Sequence, residues 1–181
     1  ATPVGSHYAL AKAGLESGCH ILCEKPLAAS VKEASELVEM SQRVKKHLFV
    51  DHTFAYTGAV RAIREMYASG KLGDLFYVDS VRINLGLFQP DVDVIWDLAP
   101  HDLSILSHVI GKKVKSVKAT GSSHNPRKFA DVAYLDIEYD GGLTAHLHLS
   151  WLSPVKVRRM IFSGTNSSVI YDDLEMSEKL K

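Results

Sequence analysis

Gly18-Cys19-His20-Ile21-Leu22-Cys23-Glu24-Lys25-Pro26 lies between two stretches of helical spacing, and its reading decides the fold. Ahead of it, Tyr8, Leu10, Ala11, Ala13 and Leu15 suit a helix from Gly5 to about Ser17, which Gly18 closes. The apolar run His20 to Cys23 then reads as a short buried strand that ends at Glu24-Lys25-Pro26. Behind it, Ser30-Val31-Lys32-Glu33 fits a capping box at a helix start. Ala34, Leu37, Val38, Ser41 and Val44 continue at helical spacing, with Lys45 and Lys46 where a helix end favours cations. Leu48-Phe49-Val50 is the next strand. Helix, strand, helix and strand with tight connections predict a parallel sheet covered by helices.

After Asp51 the pattern changes. A helix is predicted from about Tyr56 to Ser69, with Val60, Ile63, Met66 and Tyr67 on one side and Gly70 at its end. Val81, Ile83, Leu85 and Leu87 then alternate with Arg82 and Asn84, which predicts an antiparallel sheet with one covered face. A helix near residues 97–110 interrupts it, and strands follow near 114–121, 131–139, 143–151, 156–162 and 168–171. One hairpin can be registered from alternation alone. Ala133, Leu135, Ile137 and Tyr139 match Leu143, Ala145, Leu147 and Leu149 only if Tyr139 faces Leu143, because a slip of one residue would turn every side chain over. The loop is therefore Asp140-Gly141-Gly142, with His146 opposite Asp136 and His148 opposite Tyr134.

Composition excludes several functions. The 181 residues carry 21 Lys plus Arg against 21 Asp plus Glu, so the net charge is 0 and no basic surplus points to nucleic acid. With 46% hydrophobic residues the chain is not of the disordered class. No apolar run approaches the ~18 residues of a membrane span. The only cysteines, Cys19 and Cys23, lie four apart on one predicted strand, ~13 Å from each other at strand rise, and cannot pair. With no export signal ahead of the first motif, a reducing, cytoplasmic location is expected.

Three constellations can carry chemistry. Lys25 leaves the carboxyl end of a parallel strand, where open α/β sheets bind ligands; the plain alternative is a surface lysine in a proline turn. In Trp96-Asp97-Leu98-Ala99-Pro100-His101-Asp102, Pro100 fits only the first helical turn, so the helix is expected to start near Asp97 as N-cap. Asp97, His101, Ser104 and His108 then form one polar stripe on an apolar helix, which must meet solvent, a partner or a cavity. A carboxylate one turn before an imidazole also suits the orientation of a general base, while a capping aspartate on a solvated stripe is the plain alternative. His146 and His148 share a strand face and, counted with Asp97 and His101, make four zinc-type ligands. Pairing with Asp136 and Tyr134 accounts for the two histidines without metal, and none is expected.

Taken together, Thr2-Pro3 with His7, Gly18 to Pro26, Ser69-Gly70-Lys71-Leu72-Gly73, and Asp97 with His101 in Asp-x-x-x-His spacing resemble the Gfo/Idh/MocA family of glucose-fructose oxidoreductase, inositol dehydrogenase and rhizopine catabolism proteins. Val92 to Ser104 with Trp151 to Lys156 looks most like a branch assigned to nucleotide-sugar dehydrogenases. The resemblance implies an α/β chain: residues 1–52 as the second half of a Rossmann domain that binds NAD or NADP, and residues 53–181 as an α+β domain with an open, mainly antiparallel sheet. It implies Lys25, Asp97 and His101 as the catalytic group, with Thr2, Pro3, His7, Glu24 and Lys25 against the cofactor. The glycine-rich fingerprint is absent, so at least one βαβ unit of roughly 30 residues is expected ahead of Ala1, and the chain reads as an internal piece.

The activity implied is hydride transfer between a secondary alcohol of a sugar, cyclitol or nucleotide sugar and a nicotinamide. Asp97 is expected to orient the His101 base and stabilise its cation. An NAD-dependent glycoside hydrolase of the same superfamily and a zinc hydrolase are the alternatives. The implied partner is a second copy through the open sheet, whose Arg82 and Asn84 side is expected to face partner or substrate.

Overall fold

The computed structural model describes residues 2–86, 88–89, 91–124, 126 and 129–181. Leu87, the last residue of the predicted alternating run, lies outside them.

The first half folds as its alternation predicts. Helix α1 (Val4–Glu16), strand β1 (Ile21–Cys23), helix α2 (Val31–Arg43) and strand β2 (Leu48–Val50) follow in order, and β1 and β2 pair as a parallel two-stranded sheet with Leu22 opposite Phe49. Ser30 caps α2 by accepting the Glu33 N–H, one half of the predicted box. Leu15, Ala11, Leu37 and Met40 form a small core between the helices.

A single 3-10 turn (Thr53–Tyr56) leads into α3 (Gly58–Ala68), and the second sheet begins with β3 (Leu75–Leu85). Helix α4 (Val94–Ile110) is followed by β4 (Val114–Ser122), β5 (Val132–Tyr139), β6 (Thr144–Ser150), β7 (Leu152–Gly164) and β8 (Ser168–Asp172). The six strands run in the order β4-β5-β6-β3-β7-β8. All neighbouring pairs are antiparallel except β3 with β6, whose parallel pairing places a strand made early in the chain at the centre of the sheet. The predicted hairpin register holds: the Tyr139 N–H donates to the Leu143 carbonyl, Asp136 faces His146 and Tyr134 faces His148. Helices α3 and α4 cover one face, burying Val60, Ile63, Ile105, Leu106, Leu147, Leu149 and Phe162 in the main core.

Two expectations are corrected. Helix α4 starts at Val94, not near Asp97, because Asp93 is the cap: its Oδ1 accepts the Trp96 N–H at 2.9 Å. Pro100 therefore stands inside the helix and offers no N–H to the Trp96 carbonyl, a loss of about 3 kcal/mol that burial of the α4 face outweighs. The second correction concerns β3. Its covered residues are Val78, Ser80 and Arg82, while Val81 and Ile83 lie on the open side. Alternation gave the period but not the side, because a buried countercharge makes the arginine side the one that faces the helices.

Candidate functional site

Strand β1 ends at Cys23, and the loop after it is tied down from two directions. Cys23 accepts the Asp51 N–H from beyond β2, and the Pro26 carbonyl meets Nδ1 of buried His7 at 2.8 Å. Lys25 projects from this loop onto α4, where its Nζ donates to the Asp97 carbonyl at 2.8 Å and to Asp97 Oδ1 at 2.9 Å. Both side chains are mostly covered, at 18% and 17% exposure, so the pair is shielded more than a surface ion pair. The other carboxylate oxygen, Oδ2, accepts the indole N–H of Trp151 at 3.1 Å. Trp151 is itself fixed: it is 1% exposed, it lies at the junction of β6 and β7, and its carbonyl accepts the Gly86 N–H. A side chain at Gly86 would press against the indole.

His101 follows one turn along α4. The Asp97 carboxylate bonds Lys25 and Trp151 and not the buried Nδ1 of His101. The ring instead meets Phe54 edge-on, with centroids 4.9 Å apart, and its buried Nδ1 has no hydrogen-bond partner among the described residues. Burial, and then the cations of Arg82, Lys25 and Arg158 and the neighbouring His52, lower its pKa from 6.5 to about 3, so it is a neutral imidazole at neutral pH. The expected stabilisation of its cation by Asp97 is therefore replaced by an environment that disfavours the cation.

Behind Phe54 lies a buried ion pair. Arg82 Nε and Nη2 donate to Asp102 Oδ1 at 2.8 and 2.6 Å, with side chains 5% and 1% exposed. The guanidinium also lies over the Phe54 ring, 4.7 Å from its centroid. Sequence reasoning placed Arg82 on the open side of the sheet and gave no role to Asp102, Phe54 or the Trp151 indole. The available signal was Asp102 itself, a carboxylate on the apolar stripe Ala99, Ile105, Leu106 and Val109, which requires a buried partner.

The remaining residues separate into two clefts. Thr2, His7 and Glu24 line a cleft of about 270 Å³ beside β1, together with Leu10, Ile21 and Leu22; Pro3 instead stands at the N-cap of α1. His7 Nε2 lies 3.1 Å from the Thr2 carbonyl, so both ring nitrogens face backbone carbonyl oxygens. The far end of the polar stripe, Ser104 and His108, lines a larger cleft of about 780 Å³ with Pro26, His52, Trp96 and Pro100. His146 and His148 point out from the uncovered face of the sheet, away from α4. His146 Nδ1 is 2.8 Å from Asp136, and His148 stacks on Tyr134 at 4.7 Å. The four zinc-type ligands thus lie on opposite sides of the sheet, and no metal-holding group of His, Cys, Asp or Glu occurs among the described residues.

Comparison with known proteins gives consistent results. Residues 60–170 match the GFO/IDH/MocA C-terminal domain, and residues 1–52 match the oxidoreductase family with an NAD-binding Rossmann fold. A UDP-N-acetylglucosamine 3-dehydrogenase from Acidithiobacillus ferrooxidans is 31% identical over 162 residues, which is 88% of this chain and 50% of that protein. The crystal structure of an oxidoreductase from Pseudomonas syringae matches with a TM-score of 0.88 at 27% identity, over 100% of this chain and 54% of that one. An inositol dehydrogenase homologue from Azotobacter vinelandii, complexed with NADH and myo-inositol, shares the fold with a TM-score of 0.90 at 23% identity, over 100% of this chain and 54% of that one. The chain spans about half the length of the curated relatives it matches.

Proposed function

The chain belongs to the Gfo/Idh/MocA oxidoreductase family, and from that premise we propose that the whole protein transfers a hydride between a secondary alcohol of a sugar, cyclitol or nucleotide sugar and NAD or NADP. The observation that carries this reading is the meeting of Lys25 from the first sheet with Asp97 of α4, beside a neutral, half-buried His101. An ammonium has three N–H donors, and two are held by the Asp97 carbonyl and carboxylate. The third is free for the alcohol oxygen. Asp97, gripped from the other side by Trp151, keeps Lys25 in place, and the neutral His101 accepts the hydroxyl proton. A nicotinamide held against Lys25 would supply the acceptor for the hydride that leaves the alcohol carbon.

The cleft beside β1 fits such a cofactor, because it opens at the carboxyl end of a parallel strand and offers Thr2 and Glu24 over a floor of Leu10, Ile21 and Leu22. We place the domain division between residues 52 and 53, after β2 ends at Val50 and where the 3-10 turn begins at Thr53. On the open sheet, Tyr77, Val81, Ile161 and Ile170 interrupt the polar face; these, rather than the inward-turned Arg82, offer a second copy its contact. The unpaired thiols Cys19 and Cys23 fit a reducing, cytoplasmic setting.

The test is steady-state turnover of the full-length protein with sugar, cyclitol and nucleotide-sugar alcohols, reading reduced nicotinamide at one equivalent per product. Lys25→Met and His101→Ala lower kcat by about 10²- to 10⁴-fold while the cofactor still binds. Near-normal turnover in both variants refutes the assignment, and substrate hydrolysis with no net reduced cofactor favours the glycoside hydrolase.

A further inference from the structure

His101 is a base whose ring orientation is not secured by a hydrogen bond at Nδ1. That nitrogen is buried without a partner among the described residues, and the neighbouring carboxylate of Asp97 is occupied elsewhere. The ring packs against Phe54, with centroids 4.9 Å apart and ring planes at 80°. Phe54 in turn lies on a short 3-10 turn between the two halves of the chain, where its carbonyl accepts the Thr57 N–H and hydroxyl. Phe54 also packs against the main core and lies under the Arg82 guanidinium, 4.7 Å from the ring centroid, and Arg82 is anchored by two N–H bonds to Asp102, the residue next to His101 on α4.

We propose that the buried Arg82–Asp102 pair is a positioning unit for His101, acting through the Phe54 ring that both the guanidinium and the imidazole contact. This rests on the reading of His101 as the base. The stack closes a loop: α4 holds Asp102, Asp102 holds Arg82 on β3, Arg82 holds Phe54, and Phe54 holds the ring of His101 back on α4. Such a closed packing path fixes a side chain that has no hydrogen bond of its own, and it costs no donor or acceptor that the reaction needs. The pair also supports the neutral ring. The groups acting on His101 are the cation Arg82 on β3, Lys25 after β1, Arg158 on β7 and His52 after β2, with Asp97 and Asp102 on its own helix. Arg82 comes directly after burial among the causes that disfavour the imidazolium. A purely structural ion pair would serve the core equally well several turns away, without a ring between it and the base.

The experiment uses the full-length protein in three variants. Arg82→Met removes the cation and the stack, Phe54→Leu removes the ring and leaves the ion pair, and His101→Ala removes the base. Each is read by kcat and KM and by the imidazole signals of histidine-labelled protein against pH. Arg82→Met is expected to lower kcat by roughly tenfold or more with KM little changed, and to raise the His101 titration midpoint by about one to two pH units. The carboxylate left behind pushes the midpoint in the same direction. Phe54→Leu is expected to lower kcat likewise and to broaden or shift the His101 ring signal while the Arg82–Asp102 pair persists. A folded Arg82→Met protein with wild-type kcat and an unmoved His101 midpoint overturns the proposal. If Arg82→Met does not fold, Phe54→Leu decides it, and wild-type kcat with an unchanged ring signal overturns it equally. His101→Ala separates the two levels. Loss of turnover there, with both other variants normal, removes only the positioning role, whereas normal turnover in His101→Ala removes His101 as the base and with it the premise of the proposal.

Discussion

Replacing His101 by leucine gives a quantitative test of the buried neutral imidazole, and it requires no substrate. An unfolded histidine takes up its proton near pH 6.5, whereas in the folded chain burial and the facing cations delay this to about 3. Between those values the unfolded chain binds a proton that the folded chain does not. Stability contributed by the neutral ring is therefore fully present above 6.5 and is lost progressively as pH falls towards 3. A whole-proton difference is worth about 1.4 kcal/mol per pH unit. Lowering the pH from about 6 to about 4 should thus cost the wild type roughly 2 kcal/mol more than it costs His101→Leu. Urea denaturation followed by tryptophan fluorescence at both pH values measures this. All other titrating groups are common to the two proteins, so the difference between their pH slopes isolates His101. Parallel slopes, or a steeper loss in the leucine variant, would show that the imidazole is charged or exposed in the folded chain and would refute the reasoning.

Trp151→Phe keeps an aromatic ring but deletes the N–H that reaches Asp97 Oδ2 at 3.1 Å. A hydrogen bond to a charged group is worth about 1.5 to 3 kcal/mol, so unfolding free energy should fall by that order and kcat should fall more than KM rises. Unchanged stability together with unchanged kcat would show that the indole does not support the carboxylate. Gly164→Ala places a methyl group against the Leu72 carbonyl, a backbone contact that cannot swing aside. Thermal denaturation should show a loss of about 1 to 3 kcal/mol, and a wild-type midpoint would mean that the turn after α3 yields more easily than its packing against the β7–β8 hairpin implies.

Much of the molecule was legible from local pattern. The helix-strand-helix-strand alternation of the first half, the ends of α3 and the three-residue loop at Asp140-Gly141-Gly142 all follow from period, caps and glycine geometry, which neighbours in sequence decide. Lys25, Asp97 and His101 were also singled out in the sequence, as a strand-end lysine and an aspartate one turn before a histidine. The start of α4 was misplaced because Pro100 was confined to the first helical turn, whereas Asp93 caps the helix through the Trp96 N–H and leaves the proline inside it.

What local pattern determines about this protein is which elements form and in which register a hairpin closes, since those depend on residues a few positions apart. Tertiary structure alone decided which side of β3 is covered, that β3 runs parallel to β6, and what holds Asp97 and His101. The physical reason is that burial of a charge depends on its partner. Arg82 turns inward because Asp102, twenty residues later on another element, supplies the countercharge, and the same distant pairing leaves Asp97 to Lys25 and Trp151 and His101 to the edge of Phe54.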